Sequence, residues 1–163
     1  MNQETYFSDP ELLKVAASAG LGLLAGLFLQ WWKSARDERR ALSDEVCKSV
    51  RNLVDTASDY WLETDSKVQQ SQGARLLGQQ TELAGIISIY IEQLASADRQ
   101  KLRTGLKRLI MVATGDFGDR DDTAKIQFAN GAHTIGAELI TTVRQSLINR
   151  NSILGTISAR LGW

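Results

Sequence analysis

The chain has little of what usually announces a function. It holds one cysteine, one histidine and one proline in 163 residues. One cysteine excludes an internal disulfide, and one cysteine with one histidine falls short of the donors a protein zinc site needs. A single proline beside 13 glycines excludes a collagen-like or low-complexity chain. Excess charge is missing as well. Nineteen basic side chains face 19 acidic ones, so this is not the globally basic kind of protein that packs nucleic acid. The length leaves room for one compact domain with an appendage and excludes a large multidomain enzyme.

What is present is unevenly distributed. Residues 15–32, VAASAGLGLLAGLFLQWW, carry no charge, and the apolar character reaches back to Leu12 across Lys14 alone. A helix of about 20 such residues rises about 30 Å, the thickness of a bilayer's hydrocarbon core. Trp31 and Trp32 close the stretch, where indole rings favour the headgroup region. A buried core helix would be amphipathic, whereas only Ser18 and Gln30 interrupt this stretch. The pattern predicts a transmembrane helix over 12–32. A cleaved signal peptide is not expected, because MNQETYFSDPE brings three acids and no base, and no small-residue cleavage site follows.

Charge sets the expected orientation. Glu4, Asp9 and Glu11 precede the span, and Lys33, Arg36, Arg39 and Arg40 follow it. The positive-inside rule then leaves 1–11 as an extracytoplasmic tail and 33–163 as a cytoplasmic domain on a bacterial inner membrane. A reducing cytoplasm also suits the unpaired Cys47. Ser18, Gly22 and Gly26 fall four apart and give the small-residue ridge by which membrane helices associate, so a homo-oligomer is expected.

After the span the periodicity predicts an all-α helical bundle. The first helix continues through Leu42, Val46, Val50, Leu53, Ala57 and Tyr60, with a break expected at Ser71–Gly73. A second runs from about Ala74 to Ala95 on Leu76, Leu83, Ile87, Tyr90, Ile91 and Leu94. A third follows Ser96 as its N-cap, with Asp98 in its first turn, Leu102, Leu106, Leu109, Ile110 and Ala113 inside, and Gly115 as its stop. A fourth, about Thr123 to Asn149, carries Phe128, Ala132, Ile135, Leu139, Val143 and Leu147. The tail after Asn151 suits a short further helix, with Trp163 packed on something.

The third helix is the most unusual surface. Segment 97–114 sets Arg99, Lys101, Arg103, Lys107 and Arg108 against Asp98, a balance of +4. Arg99, Arg103 and Lys107 recur every four residues, a spacing that brings several cations to one polyanion. A solvated basic face is the plainer alternative. On the fourth helix Asn130, His133 and Thr134 lie among Ala129, Gly131, Ala132 and Gly136, so a base or ribose has room to approach. Close helix packing explains the small residues equally well. Arg144, Arg150 and Arg160 add cations after the last acid, Glu138. The loop holding Asp116, Asp119, Asp121 and Asp122 lacks the closing glutamate of a calcium loop, since Gln127 stands there, and reads as solvent-exposed with a capping aspartate.

Catalysis and cofactors find no support. No Gly-rich phosphate loop, HExxH or Ser-His-Asp pattern occurs, and no arginine stands four to six residues before His133 as in RxxxxH nucleases. The expectation is a non-enzymatic protein without metal or cofactor.

A short amino-terminal span, a cytoplasmic helical domain of this size and a basic, non-catalytic third helix together resemble the small cyclic-oligoadenylate-responsive membrane effectors of type III CRISPR antiviral systems. The resemblance implies antiviral defence, in which the cytoplasmic domain binds cyclic oligoadenylate and the membrane part then impairs the membrane. Arg99, Arg103, Lys107, Arg108 and Arg144 are the candidate phosphate contacts, with Asn130, His133 and Thr134 for base or ribose. The competing readings are a membrane scaffold that recruits a protein partner and a constitutive membrane toxin or pore, the latter disfavoured because only Ser18 and Gln30 could line a water-filled path. Duplex nucleic acid is not an expected ligand.

Overall fold

The computed structural model describes residues 10–115 and 121–151. All of the regular structure in them is helical: α1 (Pro10–Leu62), α2 (Ser66–Glu92), α3 (Ser96–Thr114) and α4 (Asp122–Asn151). The chain divides into two units, Met1–Glu38 and Arg39–Trp163. Residues 1–9, 116–120 and 152–163 lie outside the described residues. The expectations for the extracytoplasmic tail, for Asp116 and Asp119, and for Arg160 and Trp163 therefore fall there.

The first unit contributes the start of α1. Pro10 opens it, at a helix position where the missing N–H is not needed. Leu21, Leu23, Leu24, Leu27, Phe28, Leu29 and Trp31 are all more than half exposed. Among the described residues no helix is long and apolar enough to cross a membrane. The transmembrane helix expected over 12–32 is therefore not shown by the described residues.

The second unit holds the core. Val46, Val50, Leu53 and Ala57 of α1 are fully buried, as are Leu76 and Leu83 of α2, Leu102, Leu109 and Ala113 of α3, and Ala132 and Val143 of α4. Leu42, Leu106 and Phe128 pack half-buried at the edge. Each helix thus buries the stripe its 3.6-residue period marks.

α4 is the common partner. Against α1 it pairs Phe128 with Trp61, whose rings stack at 4.9 Å, and His133 with Ser58. Gly136 lies against Val54. The numbers fall on one helix as they rise on the other, so the two run antiparallel. Against α3, Leu139 meets Gly105 and Gly131 meets Val112, again antiparallel. The α2 contact is polar: the buried Tyr90 hydroxyl donates to the Val143 carbonyl at 3.0 Å and shares a 2.9 Å hydrogen bond with Ser146.

Two helix boundaries differ from the sequence expectation. The break after α1 falls at Glu63–Asp65, and Ser71–Gly73 lies inside α2, with Gly73 buried. The acids decide this. Glu63 accepts from the amides of Thr64 and Asp65, and Asp65 caps α2 through the amides of Lys67 and Val68. Such carboxylate caps satisfy donors that would otherwise be orphaned. At α3, the N-cap is Ala95 and Ser96 is already helical; no side chain caps this end. Gly115 ends α3 as expected. Its φ of +43° suits glycine, and a Cβ there would stand 2.8 Å from the Trp61 ring.

Candidate functional site

Helical register separates the cations of α3. Arg99 marks one flank: its Nε donates to the Leu94 carbonyl at 2.6 Å and its Nη2 to the Glu92 carbonyl at 3.3 Å. The guanidinium thus serves the carbonyl end of α2, where a cation is favoured. Arg103 and Lys107 follow on the same flank at four-residue steps. Both are exposed, with no hydrogen-bond or ion-pair partner among the described residues.

Arg108 is on the other flank. Gly105 and Val112 mark the side of α3 that meets α4, and Arg108 shares it. Its Nη1 lies 3.3 Å from Glu138 Oε2, both side chains being more than half exposed. The four candidate phosphate contacts of α3 therefore do not form one patch on a protomer. Arg103 and Lys107 remain together, Arg99 is engaged with α2, and Arg108 faces α4.

The α4 candidates also separate. Asn130 and Thr134 are exposed, one turn apart, and the Thr134 hydroxyl donates back to the Asn130 carbonyl at 3.0 Å. His133 turns to α1, with Nε2 2.9 Å from Ser58 Oγ. The Ser58 proton goes to the Val54 carbonyl at 3.0 Å, which leaves its oxygen to accept from the Nε2–H. Among the described residues no carboxylate is hydrogen-bonded to His133. As arranged, this Ser–His pair ties two helices and does not present an activated nucleophile.

The small residues of α4 admit the chain itself. A Cβ on Gly136 would stand 2.5 Å from Val54 Cγ2, and one on Gly131 would stand 3.0 Å from Val112 Cγ1. Arg144 lies at the α1 edge beside Cys47. Burial pushes the Cys47 thiol above its ordinary range, while the Arg144 and Arg51 guanidinia pull it down. The described part of the acidic loop does structural work. Asp121 caps α4 through the Ala124 amide at 2.7 Å, and Asp122 pairs with Lys125. No group of three or more metal-ligating side chains occurs among the described residues.

On α1, Ser18, Gly22 and Gly26 share one face, and Gln30 continues the same four-residue step. A Cβ on Gly22 or Gly26 would meet nothing within 4 Å. Ala19, Leu23 and Leu27 border this shallow channel.

Gln100, Thr104 and Thr142, which carry no motif in the sequence, line a groove between α3 and α4 together with Lys101, Arg108 and Glu138. The seven-residue step from Lys101 to Arg108 is the only sign of it in the sequence, because the α4 half is set by the antiparallel packing of α3 and α4. Compared with known proteins, the chain matches no family model, no curated protein and no solved structure.

Proposed function

We propose that this chain is a membrane-anchored, non-enzymatic interaction module. The apolar part of α1 lies in the bilayer, and residues from Lys33 onward form the cytoplasmic bundle. The observation that carries this reading is the set of seven large apolar side chains between Leu21 and Trp31, each more than half exposed. Apolar surface of that extent is stable in lipid or against another chain. The apolar sequence reaches back to Leu12, which extends the run to the roughly 20 residues a bilayer requires. Copies associate along Ser18, Gly22 and Gly26, whose ridge lets backbones approach.

The bundle has one of two inputs. In the scaffold reading a protein partner docks on it. In the ligand-gated reading, cyclic oligoadenylate bridges Arg103 and Lys107 of neighbouring protomers, and the bundle transmits strain along α1 to the membrane in antiviral defence. Two exposed cations with no partner among the described residues favour the second.

Reconstitution of the full chain into anionic vesicles tests both levels. The chain is expected to float with the vesicles and to resist alkaline carbonate, while Leu23→Arg with Leu27→Arg releases it. Each arginine at a span's centre costs about 3 kcal/mol. Extraction of the unaltered chain by carbonate would overturn the anchor. A ring-size series of cyclic oligoadenylates should then release trapped dye from the vesicles, and Arg103→Glu with Lys107→Glu should stop it. No calorimetric binding of any ring below about millimolar concentration rejects the ligand-gated reading and leaves the scaffold.

A further inference from the structure

The groove between α3 and α4 combines close helix packing with charged and polar walls. Gly105 lets α4 come close, since a Cβ there would stand 2.9 Å from Leu139 Cδ1. Leu139 and Ile135 form an apolar floor under a volume of about 300 Å³. Polar groups converge on its rim from both helices: Lys101, Thr104 and Arg108 from α3, Glu138 and Thr142 from α4. Lys101 and Arg108 stand two turns, about 10 Å, apart along α3, close enough for their long side chains to reach one ligand between them.

The polar groups are unevenly spent. Arg108 gives a single N–H to Glu138 at 3.3 Å, and both side chains are more than half exposed. A pair of that kind holds weakly, and four guanidinium N–H donors remain. Lys101 has no partner among the described residues. Donors thus exceed acceptors, two cations face one carboxylate, and apolar carbon lies beneath them.

We infer that this groove binds a small organic phosphate. A phosphate monoester brings close to two negative charges and three acceptor oxygens. It matches the fork of Arg108 and the ammonium of Lys101 together, where a carboxylate occupies only one of them. Its organic body lies on Leu139 and Ile135, with the Thr104 hydroxyl at its edge, while the Thr142 hydroxyl donates to the Glu138 carbonyl at 2.9 Å and offers the ligand only its oxygen. Glu138 sets the affinity by competing for Arg108. This site is distinct from the Arg103–Lys107 flank and does not depend on the anchor, so its outcome and that of the membrane reading are separable.

The test uses the full chain in detergent and phenyl phosphate as the probe, titrated by calorimetry. Saturable sub-millimolar binding is expected. Lys101→Gln with Arg108→Gln should weaken it about tenfold or more, whereas Arg103→Gln with Lys107→Gln should leave it within about twofold. Glu138→Gln should tighten it about two- to fivefold, because a competing carboxylate and a like charge are both removed. A residue that only supported the fold would not give that gain. All five side chains are exposed, and thermal melts will establish that each variant is folded. The inference is overturned by no saturable binding below about 10 mM. Equal loss in the two double variants overturns it as well, since that is nonspecific attraction. Inorganic phosphate binding as tightly as phenyl phosphate removes the apolar floor from the site.

Discussion

The close packing of Gly136 against Val54 yields a sharp prediction. Alanine at a solvent-facing helical glycine gains about 1 kcal/mol, because the unfolded chain loses backbone freedom and the helix gains propensity. Gly85 of α2 is such a site, with nothing within 4 Å of an added Cβ. At Gly136 the added Cβ would stand 2.5 Å from Val54 Cγ2. That atom belongs to a β-branched side chain held stiffly at χ1, so it cannot swing away as a leucine tip can. Overpacking of this kind costs about 1–3 kcal/mol. The upper end applies here, and the net change for Gly136→Ala is a loss of about 2 kcal/mol after the propensity gain. Gly105→Ala is expected to fall between the two, since Leu139 Cδ1, at 2.9 Å, is the flexible end of its side chain.

Urea unfolding and thermal melts of the full chain in detergent, both followed by circular dichroism, measure the difference. Gly136→Ala should lower the melting temperature by about 4–8 °C, given a shift of about 2–4 °C per kcal/mol for a protein of this size. Gly85→Ala should raise it slightly. The decisive arm is a double-mutant cycle. In a Val54→Ala background the obstructing methyl is gone, so Gly136→Ala should change sign and stabilise. If Gly136→Ala destabilises equally in both backgrounds, the contact with Val54 is not the cause and the packing argument fails.

Two further predictions concern the core. Trp61 Nε1 donates to the Ala113 carbonyl at 3.0 Å, so Trp61→Phe keeps most of the stacking on Phe128 but orphans a buried acceptor. A loss of about 1–3 kcal/mol is expected by urea unfolding, and an unchanged midpoint would refute it. Burial raises both the Cys47 thiol and the Tyr60 phenol above their ordinary values, so the folded chain keeps protons that the unfolded chain has already released. Stability is then fully present below the unfolded thiol's value and declines as pH rises through the alkaline range. Cys47→Ala should flatten the first part of that decline; the same slope with and without the thiol would reject the assignment.

The sequence was a good guide to what lies inside and a poor guide to what lies together. Val46, Leu76, Leu102 and Val143 were identified from spacing alone, because each helix must bury one stripe and the 3.6-residue period exposes it. The break falls at 63–65 and not at the glycine, Gly73, that residue type favours. Capping by Asp65 is a local hydrogen-bond effect that hydrophobic periodicity does not register. Residue type favours Ser96 as the cap, yet the carbonyl of Ala95 begins α3 without any side-chain help. For the candidate site, residue types and intervals on one helix were legible, but which neighbour each flank faces was not. Arg103 and Arg108 differ by five residues, which turns them to opposite flanks, and only α2 and α4 give those flanks different meanings.

That division of α3 moves the weight of any functional reading. On α4, small residues first suggested room for a ligand beside Asn130, His133 and Thr134. Gly131 and Gly136 are filled by Val112 and Val54, and His133 is bonded to Ser58, so the helix has spent most of that access on its own partners. Among the described residues, Arg103 and Lys107 form an exposed cationic flank, whereas Lys101 and Arg108 border a groove. A flank without walls suits a large polyanion shared between copies, where several protomers supply contacts that one cannot. A walled groove with an apolar floor suits a small ligand held by one protomer. The two surfaces therefore call for ligands of different size, and the charge-changing pairs at 101/108 and 103/107 separate them in a single set of titrations.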